Sequence, residues 1–245
     1  MAAKTSVFDH IGDRWLEPMV KDVRPISTVI LDERIKRPLL QDVRDFLDPT
    51  ARERYRGTPY RRSYLFHGPP GAGKTSLAFS IAGYFGLDIY AISLSGIDAA
   101  CLKALFAELP GRCIILLEDI EVNSSILLDV IDGVGDGHVL IMTTRHIELL
   151  DGALMQPGRV DVETEFGLAD KETITRLFYL VFQDDEAVDL LANQFAARIP
   201  ELEFSPAEVI SFLIENRLSS QEAVDNTGAW MARVRDERKK MQGGA

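Results

Sequence analysis

The sequence has very little cysteine, Cys101 and Cys113 being the only two in 245 residues. A disulfide framework therefore does not organise the fold. One thiol lies in a helical pattern and the other opens a strand, so both read as buried thiols rather than a bridge. Long apolar stretches are missing too. No run approaches the ~18 residues of a bilayer-spanning helix. The first residues show neither the apolar core of a secretion signal nor an Arg-rich, acid-free presequence. Positive charge is in deficit, with 27 Lys and Arg against 38 Asp and Glu and a net charge of −11. A general nucleic-acid binder presents a basic face, so this balance argues against nucleic acid as a partner. His67, His138 and His146 stand at strand ends without ligand-like spacing, which speaks against a zinc centre. Nothing repeats, and low complexity is confined to Gly243-Gly244-Ala245. What remains is 46% hydrophobic and 27% charged, a soluble globular composition with core enough for one large domain, alone or with a small second one.

Against that background one stretch stands out: Gly68-Pro69-Pro70-Gly71-Ala72-Gly73-Lys74-Thr75. It fits G-x-x-x-x-G-K-[ST] at every specified position. Its flanks fit as well. Tyr64-Leu65-Phe66-His67 is a short apolar strand, and Ser76 to Ala82 has helical apolar spacing. Glycines at 68, 71 and 73 can turn successive N–H groups inward and bring no Cβ to hold a phosphate away. Those amides and the positive end of the following helix form an anion site. Lys74 supplies a full charge for β/γ-phosphates, and the Thr75 hydroxyl is placed to ligate Mg²⁺. Gly68 through Ser76 is thus the expected ATP cradle.

The rest of the chain reads as alternating strands and helices up to about residue 168. Asp32 caps a helix through Leu47, which Pro38 is expected to kink or restart. Leu87–Leu94, Cys113–Leu117 and Val139–Thr144 read as strands, the second apolar throughout and the third buried, as in a parallel sheet covered on both faces. Val162–Phe166 alternates, as an edge strand does. This pattern predicts an α/β fold, a parallel sheet with helices on both faces. From Asp170 the pattern is helical only, with Ser205-Pro206-Ala207-Glu208 opening one helix as a capping box. The expected domains are an irregular segment 1–24, a nucleotide-binding α/β domain 25–168 and a small all-α lid 169–245. The basic residues Arg235, Arg238, Lys239 and Lys240 read as a solvated helix end.

A second informative feature lies 44 residues beyond Lys74, where Ile114-Ile115-Leu116-Leu117 runs into Glu118-Asp119. Such a strand delivers its acids to the carboxyl edge of the sheet, beside the phosphate loop. One carboxylate holds Mg²⁺ and a second orients the attacking water. By position, Glu118 serves the metal with Thr75, and Asp119 the water.

Together with Met142-Thr143-Thr144 and Leu150-Asp151-Gly152-Ala153-Leu154-Met155-Gln156-Pro157-Gly158-Arg159-Val160-Asp161, these motifs make the chain resemble AAA-family ATPases. The resemblance covers roughly residues 25–232. It is closest to the mitochondrial inner-membrane chaperones that assemble the cytochrome b–c complex by translocating the folded Rieske protein, in the form of a fungal-type paralogue lacking their membrane segment. Ser27–Asp32, Phe46–Pro49, Pro59–Arg62 and the order Glu118-Asp119 carry that closer likeness. The resemblance implies a homo-oligomeric ring, a protein client, a mitochondrial setting, an adenine contact at Val29 and Arg159 reaching a neighbouring subunit's nucleotide. Three departures stand out. Arg145 occupies the place of the sensor asparagine, Gln156 that of a first arginine, and the stretch from Glu121 to Ser125 lacks the family's second pore loop. Ser93–Asp98 carries no aromatic pore residue, in keeping with this branch.

The expected function is Mg²⁺-dependent ATP hydrolysis coupled to work on a protein. Two alternatives stay open. One is a nucleotide-binding interaction protein with weak or no hydrolysis, suggested by the departures. The other is a small-molecule kinase, in which residues 150–161 would have no role.

Overall fold

The structure, a computed structural model, describes residues 4–22, 25–55, 58–94, 97–120, 125–156 and 158–242. It divides into two compact units. The first runs up to Gly68 and from Gly73 to Phe166; the second takes Pro69–Ala72 and the chain from Gly167 onward.

The first unit is built on strands β1 (Lys4–Phe8), β4 (Met19–Asp22), β5 (Arg62–His67), β6 (Ile89–Ile92), β7 (Ile114–Leu117), β8 (Val139–Thr144) and β9 (Val162–Glu165), with a separate two-stranded pair β2 (His10–Ile11) and β3 (Arg14–Trp15). The order across the seven-stranded sheet is β4-β1-β6-β7-β8-β5-β9. Every pairing is parallel except that of β1 with β4. Every residue of β7 and β8 is buried. Because alternate side chains point to opposite faces, this burial means that both faces are covered. Leu65, Ile115, Leu117, Leu140 and Met142 share one apolar cluster with Leu102 and Leu105 of α4 (Ala99–Ala107) and with Leu127 and Ile131 of α5 (Ser125–Gly133).

Helix α1 (Glu33–Leu47) is capped by Asp32, whose carboxylate accepts from the Arg34 amide, and a short α2 (Ala51–Arg54) follows. Pro38 does not restart the helix, which runs unbroken from Glu33 to Leu47. It stands in the second turn, where the missing N–H removes a single rung. Asp42 of α1 then fixes the start of β5, accepting two bonds of 2.8 Å from Arg62 and one of 2.7 Å from the Tyr64 hydroxyl. Burial, with the Asp42 charge beside it, pushes the Tyr64 phenol far above its usual range. The helix that follows the glycine-rich stretch is α3 (Lys74–Phe85).

The N-terminal segment departs from the irregular conformation expected of residues 1–24. Its described residues 4–22 form four strands, two of which extend the main sheet. Thr5 and Val7 alternate inward, Phe8 stacks on Tyr90 at 4.4 Å, and the Trp15 indole donates to the Leu105 carbonyl at 3.0 Å. Such short strands carry too few residues for periodicity to register. Tertiary pairing decides them.

The second unit holds α6 (Lys171–Phe182), α7 (Val188–Arg198), α8 (Pro206–Glu215) and α9 (Ser220–Gln242). Asp170 caps α6, and Ser205 with Glu208 forms a complete capping box on α8. Phe178 packs on Phe182 and Phe195, while Trp230 stacks between Phe204 and Phe212, so the tryptophan is core. Lys239 and Lys240 are exposed, as expected of a solvated helix end, but Arg235 and Arg238 are held by partners. Arg235 grips Glu203 at 2.6 and 2.8 Å, and Arg238 reaches Glu208 at 2.8 Å and the Glu203 carbonyl at 3.0 Å. They staple α9 to the entry of α8. Among the described residues no helix is long and apolar enough to cross a membrane, and both cysteines are free thiols.

Two outcomes test this packing. Gly137 has φ +90°, and a Cβ there would meet the Gly111 carbonyl oxygen at 2.5 Å. Gly137→Ala should cost about 1–3 kcal/mol in urea unfolding, whereas Gly152→Ala, with open space around it, should stay within about 0.5 kcal/mol. The Arg235 bond, against a small burial penalty, holds Glu203 below the ordinary glutamate value of 4.5. At Glu208 burial raises the carboxyl, but the Ser205 amide and Arg238 outweigh it, and the net shift is again downward. A depressed carboxylate stabilises the fold above its unfolded pKa and stops doing so as pH falls through the folded value. The helical unit should therefore lose this support below about pH 4.5. Arg238→Ala should reduce the pH dependence of its stability in that window, read by circular dichroism melts at pH 7 and pH 3.

Candidate functional site

The carboxyl ends of β5, β7 and β8 converge. Parallel register sets Leu117 of β7 opposite Met142 of β8, and Thr144 of β8 opposite His67 of β5. The residues just beyond these ends are Glu118-Asp119, Arg145 and Gly68. The Gly68 amide donates to the Thr144 carbonyl at 3.3 Å.

Gly68, Gly71 and Gly73 have φ of 132°, 74° and 104°, each in the left-handed region that side chains avoid. A Cβ on Gly68 would overlap the Phe166 carbonyl. At Gly73 the space is open, so only its backbone conformation calls for glycine. Gly73 is also the N-cap of α3 and has no side chain to bond the first-turn amides. An anion can take that role. Within the second unit, the Gly71 carbonyl accepts the Ala207 amide at 3.1 Å, and a Cβ on Gly71 would meet Ser205 Oγ at 2.8 Å.

Lys74 is buried, and its ammonium donates to the Gly68 carbonyl at 2.6 Å. Burial lowers its pKa; Asp119 opposes that shift and Arg145 adds to it, so both charges lie within electrostatic reach of the amine. Thr75 Oγ1 donates to Glu118 Oε1 at 2.9 Å, which joins the helix start to the strand end. Asp119 is one of two described non-glycine residues with positive φ, at 47°. Thr143 holds that turn: its hydroxyl accepts the Asp119 amide at 2.9 Å and its carbonyl the Ile120 amide at 2.8 Å. Arg145 Nη2 bonds Asp119 Oδ2 at 2.7 Å.

The remaining expected site residues lie elsewhere. Val29 is buried, and its carbonyl accepts Lys36 Nζ at 3.1 Å. Arg159 forms a two-pronged bond to Asp132 at 2.8 and 3.2 Å and also donates to the Ala153 carbonyl. The Arg159 bond, outweighing a small burial penalty, holds the Asp132 carboxyl below its ordinary value. Residues 121–124, where the second pore loop is expected to be missing, lie outside the described residues, as do Ser95, Gly96 and Pro157.

Mg²⁺ takes few protein ligands and completes its shell with water and phosphate oxygens. The pairing of Thr75 with Glu118 suits that habit. Among the described residues no group of three or more His, Cys, Asp or Glu could hold a metal by itself.

A phosphate-type loop between β5 and α3, opposite an acidic strand end, defines the class. Residues 64–168 match the model of the ATPase family associated with various cellular activities, so this part of the chain is an AAA domain. Residues 171–229 match the ATPase lid domain of mitochondrial chaperone BCS1-like proteins, so the lid is of the BCS1 type. A probable mitochondrial chaperone BCS1-B of Dictyostelium discoideum is 33% identical over 274 residues, covering 91% of this chain and 59% of that relative. A probable mitochondrial chaperone bcs1 of Schizosaccharomyces pombe is 32% identical, covering 91% and 54%. The mitochondrial chaperone BCS1 of Homo sapiens is 30% identical, covering 86% and 57%. The chain thus spans between half and three-fifths of these relatives' length.

Sequence reasoning missed three features here: the hold of Thr143 on Asp119, the Asp132 partner of Arg159, and the pairing of Arg145 with Asp119. Each acts across a strand register or a loop closure, which no local motif signals. Thr143→Val, close in shape, should remove the acceptor of the part-buried Asp119 amide and cost about 0.5–1.5 kcal/mol in chemical unfolding.

Proposed function

We propose that this chain binds ATP with Mg²⁺ and hydrolyses the β–γ bond, using the energy for conformational work on a protein client within a homo-oligomeric ring. The observation that carries this reading is the 2.9 Å bond between Thr75 and Glu118, next to Lys74. It joins the two expected metal ligands at the mouth of the glycine-rich stretch. Gly68 to Ser76, including Pro69, Pro70 and Ala72, would cradle the phosphates with backbone amides, Lys74 would face the β/γ-phosphates, and Val29 would neighbour the adenine. Bound Mg²⁺ would neutralise phosphate charge. Asp119 would orient the attacking water. Arg159 would serve a neighbouring subunit's nucleotide, for which it must leave Asp132. The names of the relatives support a chaperone role and a mitochondrial setting, while association with the inner membrane rests on the sequence resemblance alone, with the cytoplasm as the alternative. The acidic balance supports neither a nucleic-acid partner nor a general polyanion surface.

A second reading, nucleotide-dependent interaction with little or no hydrolysis, is favoured by the Arg159–Asp132 and Arg145–Asp119 pairs and by Gln156. Titration calorimetry and phosphate release decide between the two. Lys74→Ala should weaken ATP binding at least about tenfold without changing the melt. Asp119→Asn should still bind ATP and lose about 10²–10⁴-fold in turnover. Unchanged ATP affinity in Lys74→Ala would sink the site. Nucleotide binding with no phosphate release from the parent would select the second reading.

A further inference from the structure

The Arg145–Asp119 pair joins the residue expected to orient the attacking water to the one cation that departs from the AAA pattern at the sensor place. Both side chains are nearly half exposed, at 45% and 46%. A pair in that setting is worth little, so it can be exchanged for a better partner at small cost. The backbones around it are held. The Asp119 turn is tied by its amide to the Thr143 hydroxyl, and Arg145 continues directly from the buried Thr143-Thr144 end of β8. Making or breaking the pair therefore takes side-chain rotation only. Thr144 lies opposite His67 and its carbonyl accepts the Gly68 amide at 3.3 Å, so Arg145 begins beside the glycine-rich turn where phosphates would sit. A guanidinium presents five donors in a planar fork suited to a phosphoryl group. A neutral asparagine could neither hold Asp119 by charge nor compete for it.

We propose that Arg145 is a latch on Asp119 that the terminal phosphate of a nucleoside triphosphate opens and a diphosphate leaves closed. The inference rests on the nucleotide-site reading above. While the guanidinium holds Oδ2, that oxygen is not available to a water. A terminal phosphoryl group within reach of Arg145 offers it more charge than one carboxylate, and the guanidinium moves to it. Asp119 is then free for the water. No bond is made or broken in this exchange; one cation changes partner. Arg145 is thus a positioning residue and a determinant of triphosphate over diphosphate preference.

The test is a double-mutant cycle on the full chain, read by calorimetry with Mg²⁺ and either ADP or the non-hydrolysable β,γ-imido analogue of ATP. Asp119→Asn should tighten the analogue about two- to fivefold, the worth of a half-exposed pair. It should do so only where Arg145 is present. Arg145→Asn should weaken the analogue roughly tenfold. ADP affinity should stay level across the parent, both single variants and the double variant. Arg145→Lys, which keeps the charge and loses the fork, should fall between parent and Arg145→Asn, and it provides a second route should the asparagine variant fold poorly. Equal effects of Asp119→Asn with and without Arg145, or parallel shifts for ADP and the analogue, would overturn the latch while leaving the site intact. If neither nucleotide binds the parent, or Lys74→Ala binds both as the parent does, the nucleotide site itself has failed and the latch with it.

Discussion

The double parallel pairing of β8, with β7 on one side and β5 on the other, is the constraint on which the site depends. It aligns three strand ends, and each end delivers one chemical element: the glycine-rich turn after His67, the acids after Leu117 and the arginine after Thr144. A slip of one residue in either pairing would move every side chain of β8 to the opposite covered face and carry Thr143 away from Asp119. Because all six residues of β8 are buried, each would have to exchange its packed neighbours. Stability and site geometry are therefore one property here. The same contacts that exclude water from the sheet set the spacing among Lys74, Glu118, Asp119 and Arg145.

Charge supplies a second layer of order. The three cations expected to meet nucleotide each stand next to a compensating oxygen: Lys74 on the Gly68 carbonyl, Arg145 on Asp119, and, away from these two, Arg159 on Asp132 and the Ala153 carbonyl. Such partners differ in how readily they yield. A carbonyl dipole competes weakly with a phosphate. A half-exposed carboxylate competes somewhat more, and a two-pronged carboxylate bond more again. The order of release expected from this is Lys74, then Arg145, then Arg159.

Much of this was legible in the sequence. The glycine-rich motif, the apolar strand ending in acids, the caps at Asp32 and Ser205 and the helical lid each follow from local rules, since the cause lies within a few residues. What escaped has non-local causes. Strands β1 to β4 exist because Phe8 and Trp15 meet Tyr90 and the Leu105 carbonyl, some eighty to ninety residues away. The Arg145 bond to Asp119 spans 26 residues and depends on which strands are neighbours. The departure at Arg145 is visible in the sequence, but its partner is not. Arg235 and Arg238 show the reverse error. A local rule about helix ends explained them plausibly, while Glu203 and Glu208 are what hold them.

The placement of Pro69–Ala72 has a consequence for dissecting this protein. The border drawn along the sequence near residue 167 is not the border in space, because four residues from the middle of the glycine-rich stretch take their neighbours from the later helices. The Ala207 amide and the Ser205 side chain, over 130 residues downstream, are what Gly71 rests against. A fragment ending at Phe166 would keep Gly68, Gly73, Lys74 and Thr75 but leave the loop's apex without its support. The smallest autonomous piece able to present the whole loop is thus longer than the α/β unit. Grafting or shuffling such lids between relatives would alter the support of Gly71 even where the motif itself is untouched.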